Sequence, residues 1–147
     1  YISWDILITI ACAFAISKAM VNSGVADAVA RFIIGMSHHY GPHVLLAAVF
    51  IITNLFTELI TNNAAAALAF PLALSISSQM GVSPMPFFVV ICMAASASFS
   101  TPIGYQTNLI VQGIGNYKFT DFVRIGLPLN IITFLISIFL IPLIWPF

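Results

Sequence analysis

The chain has 147 residues, 61% of them hydrophobic, with only four Lys or Arg and four Asp or Glu, for a net charge of zero. A soluble domain carries about a quarter charged residues, so this composition places the chain in the membrane class. With no basic run and no aromatic-basic interleaving to track a phosphate backbone, nucleic acid is not an expected partner.

A helix that crosses a bilayer needs roughly 20 mostly apolar residues. Tyr1 to Ile10 has no basic n-region and no small-residue cleavage site, so it does not read as a signal peptide. Tyr1 stands where an initiator Met would, and the chain is expected to be part of something larger. Trp4 to Met20 is the first span candidate, opened by an interfacial Trp and broken after Lys18 by Asn22-Ser23-Gly24. Val25 to Met36 is shorter, and its Asp27 and Arg31, four apart, suit an i,i+4 pair on a helix near the interface. Ser37 to His43 is a polar connection whose Gly41-Pro42 interrupts helix. Its His38, His39 and His43 do not read as a metal site, because adjacent histidines point apart on any regular element.

Val44 to Ile60 is apolar until Thr53-Asn54 and Thr57-Glu58; Thr61-Asn62-Asn63 follows, and Ala64 to Ile76 is apolar again with Pro71 inside it. After the turn at Gly81 to Pro86, Phe87 to Phe99 is apolar for too few residues to span. The polar stretch Thr101 to Asn108 comes next, then the short run Leu109 to Ile114, ended by Gly115-Asn116-Tyr117-Lys118. Thr120-Asp121 resembles a helix cap, and Phe122 to Phe147 is the clearest span, with Lys118 and Arg124 marking a cytoplasmic start. Asp5, Asp27 and Asp121 lie near segment ends and read as interfacial, while Cys12 and Cys92 lack metal or redox spacing and read as small packing residues.

The fold class is therefore all-α integral membrane, with two polar interruptions to explain. Non-helical backbone at membrane depth survives only where it is buried in protein or lines a cavity. In transporters, re-entrant hairpins and discontinuous helices place half-helix ends at the midplane, where N–H groups attract anions and freed carbonyls coordinate cations. Thr61-Asn62-Asn63 would be the tip of such a hairpin, and Thr101 to Asn108 the unwound centre of a discontinuous helix. Hydroxyls and amides suit that task, because they offer donors and acceptors without a fixed charge. Ordinary turns outside the membrane are the alternative reading of both stretches. Glu58, the acidic residue embedded between long apolar runs, is a candidate coupling residue or a structural carboxylate bonded to the hairpin backbone. A channel filter is a weaker fit, since Gly104-Tyr105 lacks the surrounding Thr-Val-Gly-Tyr-Gly run, and an enzyme is not expected without ligand spacing such as HExxH.

At these two motifs the chain resembles the divalent anion/Na⁺ symporter family, the sodium-coupled dicarboxylate, citrate and sulfate carriers of the ion transporter superfamily. That family carries a Ser-Asn-Thr signature at a hairpin tip; Thr57-Glu58-Leu59-Ile60-Thr61-Asn62-Asn63 looks like its second-repeat copy, with Thr61 for Ser and Asn63 for Thr. Pro102-Ile103-Gly104-Tyr105-Gln106-Thr107-Asn108 resembles the second motif in its first Pro and last Asn, but its centre departs from the Thr-Pro-Pro of the dicarboxylate carriers. Phe119 to Asn130 also looks like the start of the family's last helix.

The resemblance implies that residues 1–147 are the C-terminal half, the second inverted repeat, of a transporter transmembrane domain. It implies a partner N-terminal repeat, a homodimer, alternating access and a multi-pass location in the cell (inner) membrane. The expected cargo is sulfate or a di- or tricarboxylate with Na⁺ as coupling ion; a Na⁺/H⁺ antiporter of the same superfamily is the alternative. The implied substrate residues are Thr61, Asn62, Asn63, Thr107 and Asn108, and the implied Na⁺ residues are Thr61, Asn62, Thr101, Pro102 and Gly104.

Overall fold

The computed structural model describes residues 4–36 and 41–147, and every regular element among them is helical. They are α1 (Trp4–Asn22), α2 (Val25–Met36), α3 (Gly41–Leu59), α4 (Asn62–Met80), α5 (Met85–Ser96), α6 (Gln106–Gly115) and α7 (Phe119–Ile144). His38, His39 and the rest of 37–40 lie outside the described residues, as does the side chain of Asp5. Gly41 and Pro42 start α3 rather than merely ending what precedes it, in keeping with the tolerance of a helix's first turn for Pro. His43 then packs edge-on against Phe147, with ring centroids 5.0 Å apart.

Two helices, α3 and α7, are each long and apolar enough to cross a membrane. At a rise of about 1.5 Å per residue, α7 reaches about 39 Å, more than the roughly 30 Å of hydrocarbon. Leu7–Asn22 and Val25–Gly35 pass the same test only as a pair, bent by 70° at Ser23-Gly24. That bend fits the expected break after α1. Asp27 on α2 accepts a hydrogen bond from Ser75 of α4, and among the described residues no Asp27–Arg31 pair forms, so tertiary packing takes the carboxylate that the i,i+4 spacing offered to Arg31.

The core sits where α3, α4 and α5 meet. Leu45, Leu46, Val49 and Phe50 of α3 pack with Ala69, Ala73 and Ile76 of α4 and with Phe87, Val90 and Ala94 of α5. The alanines let helix backbones approach closely, which is how helices associate where lipid offers no hydrophobic drive. On the flanks, α1 and α2 lie against α4, and α7 against α5 and α3, where Phe50 meets Phe134 edge-on at 5.3 Å. Cys12 and Cys92 are free and exposed in this chain.

Candidate functional site

The last turn of a helix leaves carbonyls without internal donors, and the first turn leaves N–H groups without acceptors. Both kinds of end meet here. α3 stops at Leu59, and α4 starts at Asn62 behind Thr61, whose extended backbone and side chain cap it at the Ala64 N–H. Between α5 and α6 the chain is non-helical from Ala97 to Tyr105.

Side chains from the two interruptions satisfy each other's backbone. The Ser98 hydroxyl donates to Thr57 O at 3.1 Å, and the Thr101 hydroxyl donates to Glu58 O at 2.7 Å. In return, Asn54 Nδ2 donates to Ala97 O at 2.6 Å, and Thr57 Oγ1 lies 2.7 Å from Ala95 O. Thr57 Oγ1 also lies 2.9 Å from the Asn62 amide; one hydroxyl proton serves only one acceptor, so an Asn62 amide that presents its NH₂ to Thr57 satisfies both contacts. These bonds supply partners within the protein to the backbone of a nine-residue gap in helix, as a break inside a bilayer would require.

Gly104 belongs to the same lock. A Cβ there would overlap Ser98 Oγ and the Thr57 carbonyl oxygen, and a backbone oxygen at a helix end cannot move aside. The break therefore lies flat against the end of α3.

On the open side, a cavity of about 450 Å³ is lined by Thr9 and Ile10 of α1, by Thr61, Asn62 and Asn63, and by Gly104 to Thr107. The first residues of α4 and of α6 both face it, so two helix N-termini with positive dipole ends open on one space. Among the described residues, no charged side chain lines it. Such a site can hold a small anion by convergent neutral donors and release it again.

Of the residues singled out by sequence, Thr61, Asn62, Asn63, Gly104 and Thr107 line this cavity. Thr101 and the buried Pro102 stand behind it. Asn108 is brought to the break but not to the cavity: its Nδ2 donates to Ser98 O and Thr101 O, each at 3.2 Å, and it borders a second, mostly apolar cavity of about 640 Å³ between α6 and α7. The helix begins at Gln106, so the unwound stretch runs over residues 97–105 rather than 101–108.

Glu58 is 8% exposed, and its Oε1 accepts from the Ser100 N–H at 2.9 Å and from Asn130 Nδ2 at 2.8 Å. Its donors are thus the break and α7, not the hairpin's own backbone. Asn130 is a residue that sequence reasoning passed over as a functional candidate. The available signal was a lone amide in the longest apolar run. Thr9 carried no such signal, since one hydroxyl in α1 is unremarkable until the fold brings it to the cavity.

A family profile described as "Citrate transporter" matches residues 1–146. The chain is 40% identical over 144 residues to an uncharacterized transporter of Synechocystis sp., covering 98% of this chain and 24% of the relative. It is 38% identical over 141 residues to sodium/sulfate cotransporter 1 of Chlamydomonas reinhardtii, covering 95% and 16%. Against the Na(+)/citrate cotransporter of Rattus norvegicus it is 28% identical over 131 residues, covering 89% and 23%. The chain thus spans about a quarter or less of the length of these curated relatives.

Proposed function

The chain belongs to the citrate transporter family, and from that premise we propose that it forms the C-terminal half, the second inverted repeat, of a transmembrane domain that moves sulfate or a di- or tricarboxylate together with Na⁺ by alternating access. Membership makes it part of a multi-pass membrane transporter and not an enzyme. The observation that carries the finer reading is the single cavity on which the N-termini of α4 and α6 both open.

Thr61, Asn62, Asn63 and Thr107 supply hydroxyl and amide donors to the anion there, and the helix ends supply backbone N–H groups. Na⁺ is cargo in this scheme. It prefers hard oxygen ligands, which the Thr61 and Thr101 hydroxyls, the Asn62 amide oxygen and the carbonyls of Pro102 and Gly104 offer around the same tip and break. An N-terminal repeat of the same transporter would close the cavity from the other side, and a homodimer in the cell membrane is the assembly that goes with it.

The sodium/sulfate and Na(+)/citrate cotransporter names of two relatives support anion and sodium as the cargo pair. Proton-coupled exchange is a second reading, favoured by one feature, the buried Glu58 carboxylate whose Oε2 has no partner among the described residues. The test is uptake of labelled sulfate, citrate and succinate by the full-length parent in proteoliposomes, under an inward Na⁺ gradient or an equal K⁺ gradient. Uptake that needs Na⁺ supports symport. Uptake driven by a pH gradient without Na⁺ replaces it by the second reading.

A further inference from the structure

We infer that Asn130 is a positioning residue of this transport site, holding the end of α3 and the break in register through one carboxamide. Its Nδ2 carries two hydrogens and has two acceptors, Glu58 Oε1 and Ser100 Oγ, each at 2.8 Å. Ser100 N–H reaches the same Glu58 oxygen at 2.9 Å, which closes a three-way junction of α3, the break and α7. One turn earlier, a Cβ on Gly126 would overlap the Phe99 carbonyl, so the α7 backbone rests directly on the break. The face of α7 that carries Gly126 and Asn130 is a seat built for this segment.

The junction stands immediately behind the cavity. Glu58 neighbours Thr57, which contacts Asn62, and Ser100 neighbours Thr101, whose hydroxyl holds the Glu58 carbonyl. Moving Asn130 therefore moves both walls of the site, although its side chain is 8% exposed and is not among the residues lining the cavity. Glu58 Oε2 and Asn130 Oδ1 are both buried without a donor among the described residues, so the pair has acceptors to spare and a single NH₂. Moving that NH₂ to the side chain at position 58 keeps one amide donor in the pair, and the exchange makes the inference testable.

The inference rests on the cavity being the transport site, and the experiment separates the two. In the full-length protein, with Cys12, Cys92 and every cysteine outside this chain replaced by Ser, Asn63→Cys places one thiol in the cavity, and its modification rate by a membrane-impermeant thiosulfonate reports site geometry without knowledge of the cargo. Uptake of labelled sulfate and citrate is measured in parallel with Asn63 intact. Asn130→Asp removes the NH₂ and sets carboxylate against carboxylate; it should change the labelling rate about tenfold, the order expected for losing a buried hydrogen bond to a charged group. Asn130→Asp with Glu58→Gln returns the NH₂ from the other side, and labelling should come back to within about twofold of the parent value. If Asn130→Asp alone does not fold, recovery of folded, labelled protein in the double variant carries the same support. Parent-like labelling in Asn130→Asp, or a double variant no better than the single one, overturns the inference. Restored labelling in a parent protein that moves neither anion leaves the positioning role standing and removes the proposed cargo instead.

Discussion

At the scale of single residues, the chemistry turns on how the Glu58 carboxylate is buried when, among the described residues, no Lys or Arg pairs with it. Glu58 is held by donors alone, two of them on one oxygen, and both come from segments far along the chain, Ser100 and Asn130. Leaving those donors buried and unpaired costs roughly 1–3 kcal/mol each, so Glu58→Ala should abolish sodium-driven uptake in the parent protein. Glu58→Gln keeps an acceptor oxygen and puts an NH₂ on the side chain already bonded to Asn130, whose Oδ1 lacks a donor. It should retain much of the uptake across pH. A proton carrier behaves otherwise, because an amide cannot titrate; a folded, membrane-inserted Glu58→Gln that transports nothing would assign the carboxylate to coupling. The sequence singled Glu58 out by its charge among apolar residues, and its nearness to the hairpin tip pointed toward a backbone partner there. Its actual partners were not legible, since no local pattern reveals that residues 42 and 72 positions away converge on one oxygen.

At the scale of elements, the hairpin and the broken helix were legible because each is a polar interruption between apolar runs, and such an interruption has to be explained. Their edges were less so. Gln106, Thr107 and Asn108 look like unwound chain by polarity, yet they form the first turn of α6, where polar side chains are at home and orphan N–H groups need company. The shift separates two asparagines that the motifs had treated alike. Asn62 lines the cavity, whereas Asn108 spends its amide on the carbonyls of Ser98 and Thr101. Asn62→Ala, which loses one bond to Thr57, should therefore lower the thermal unfolding temperature of the detergent-solubilised parent by less than Asn108→Ala does, and raise the half-saturating anion concentration about tenfold, as losing one hydrogen bond to an anion would. Asn108→Ala should lower the unfolding temperature by about one to two degrees, since two break carbonyls lose their donor at roughly 1–2 kcal/mol in total. Paired melting and uptake curves check both, and the same signature from both variants would contradict this division of labour.

At the scale of the whole molecule, the cavity is built from one side. Two helix N-termini and Thr9 supply its wall, and the chain that supplies them covers about a quarter or less of its relatives. Much of α7 is apolar and exposed, with Ile125, Phe139 and Leu143 each more than two-thirds exposed, a surface suited to lipid or to further transporter segments. Neutral donors on a single wall cannot desolvate a small dianion, because the face turned to water would go on competing for it. A symmetry-related repeat, bringing its own hairpin tip and broken helix to the opposite wall, would complete the enclosure, and alternating access would then be the rocking of that enclosed site between the two membrane faces. On this argument the 147-residue chain reconstituted alone should insert into liposomes and show no sodium-driven uptake of sulfate or citrate above empty vesicles. Co-expression with the remainder of the parent should restore uptake that Asn62→Ala on this chain then reduces. Sodium-driven uptake by the chain alone, inhibited by that same substitution, would mean that copies of this half can enclose the anion between them, and the need for a distinct N-terminal repeat would fall.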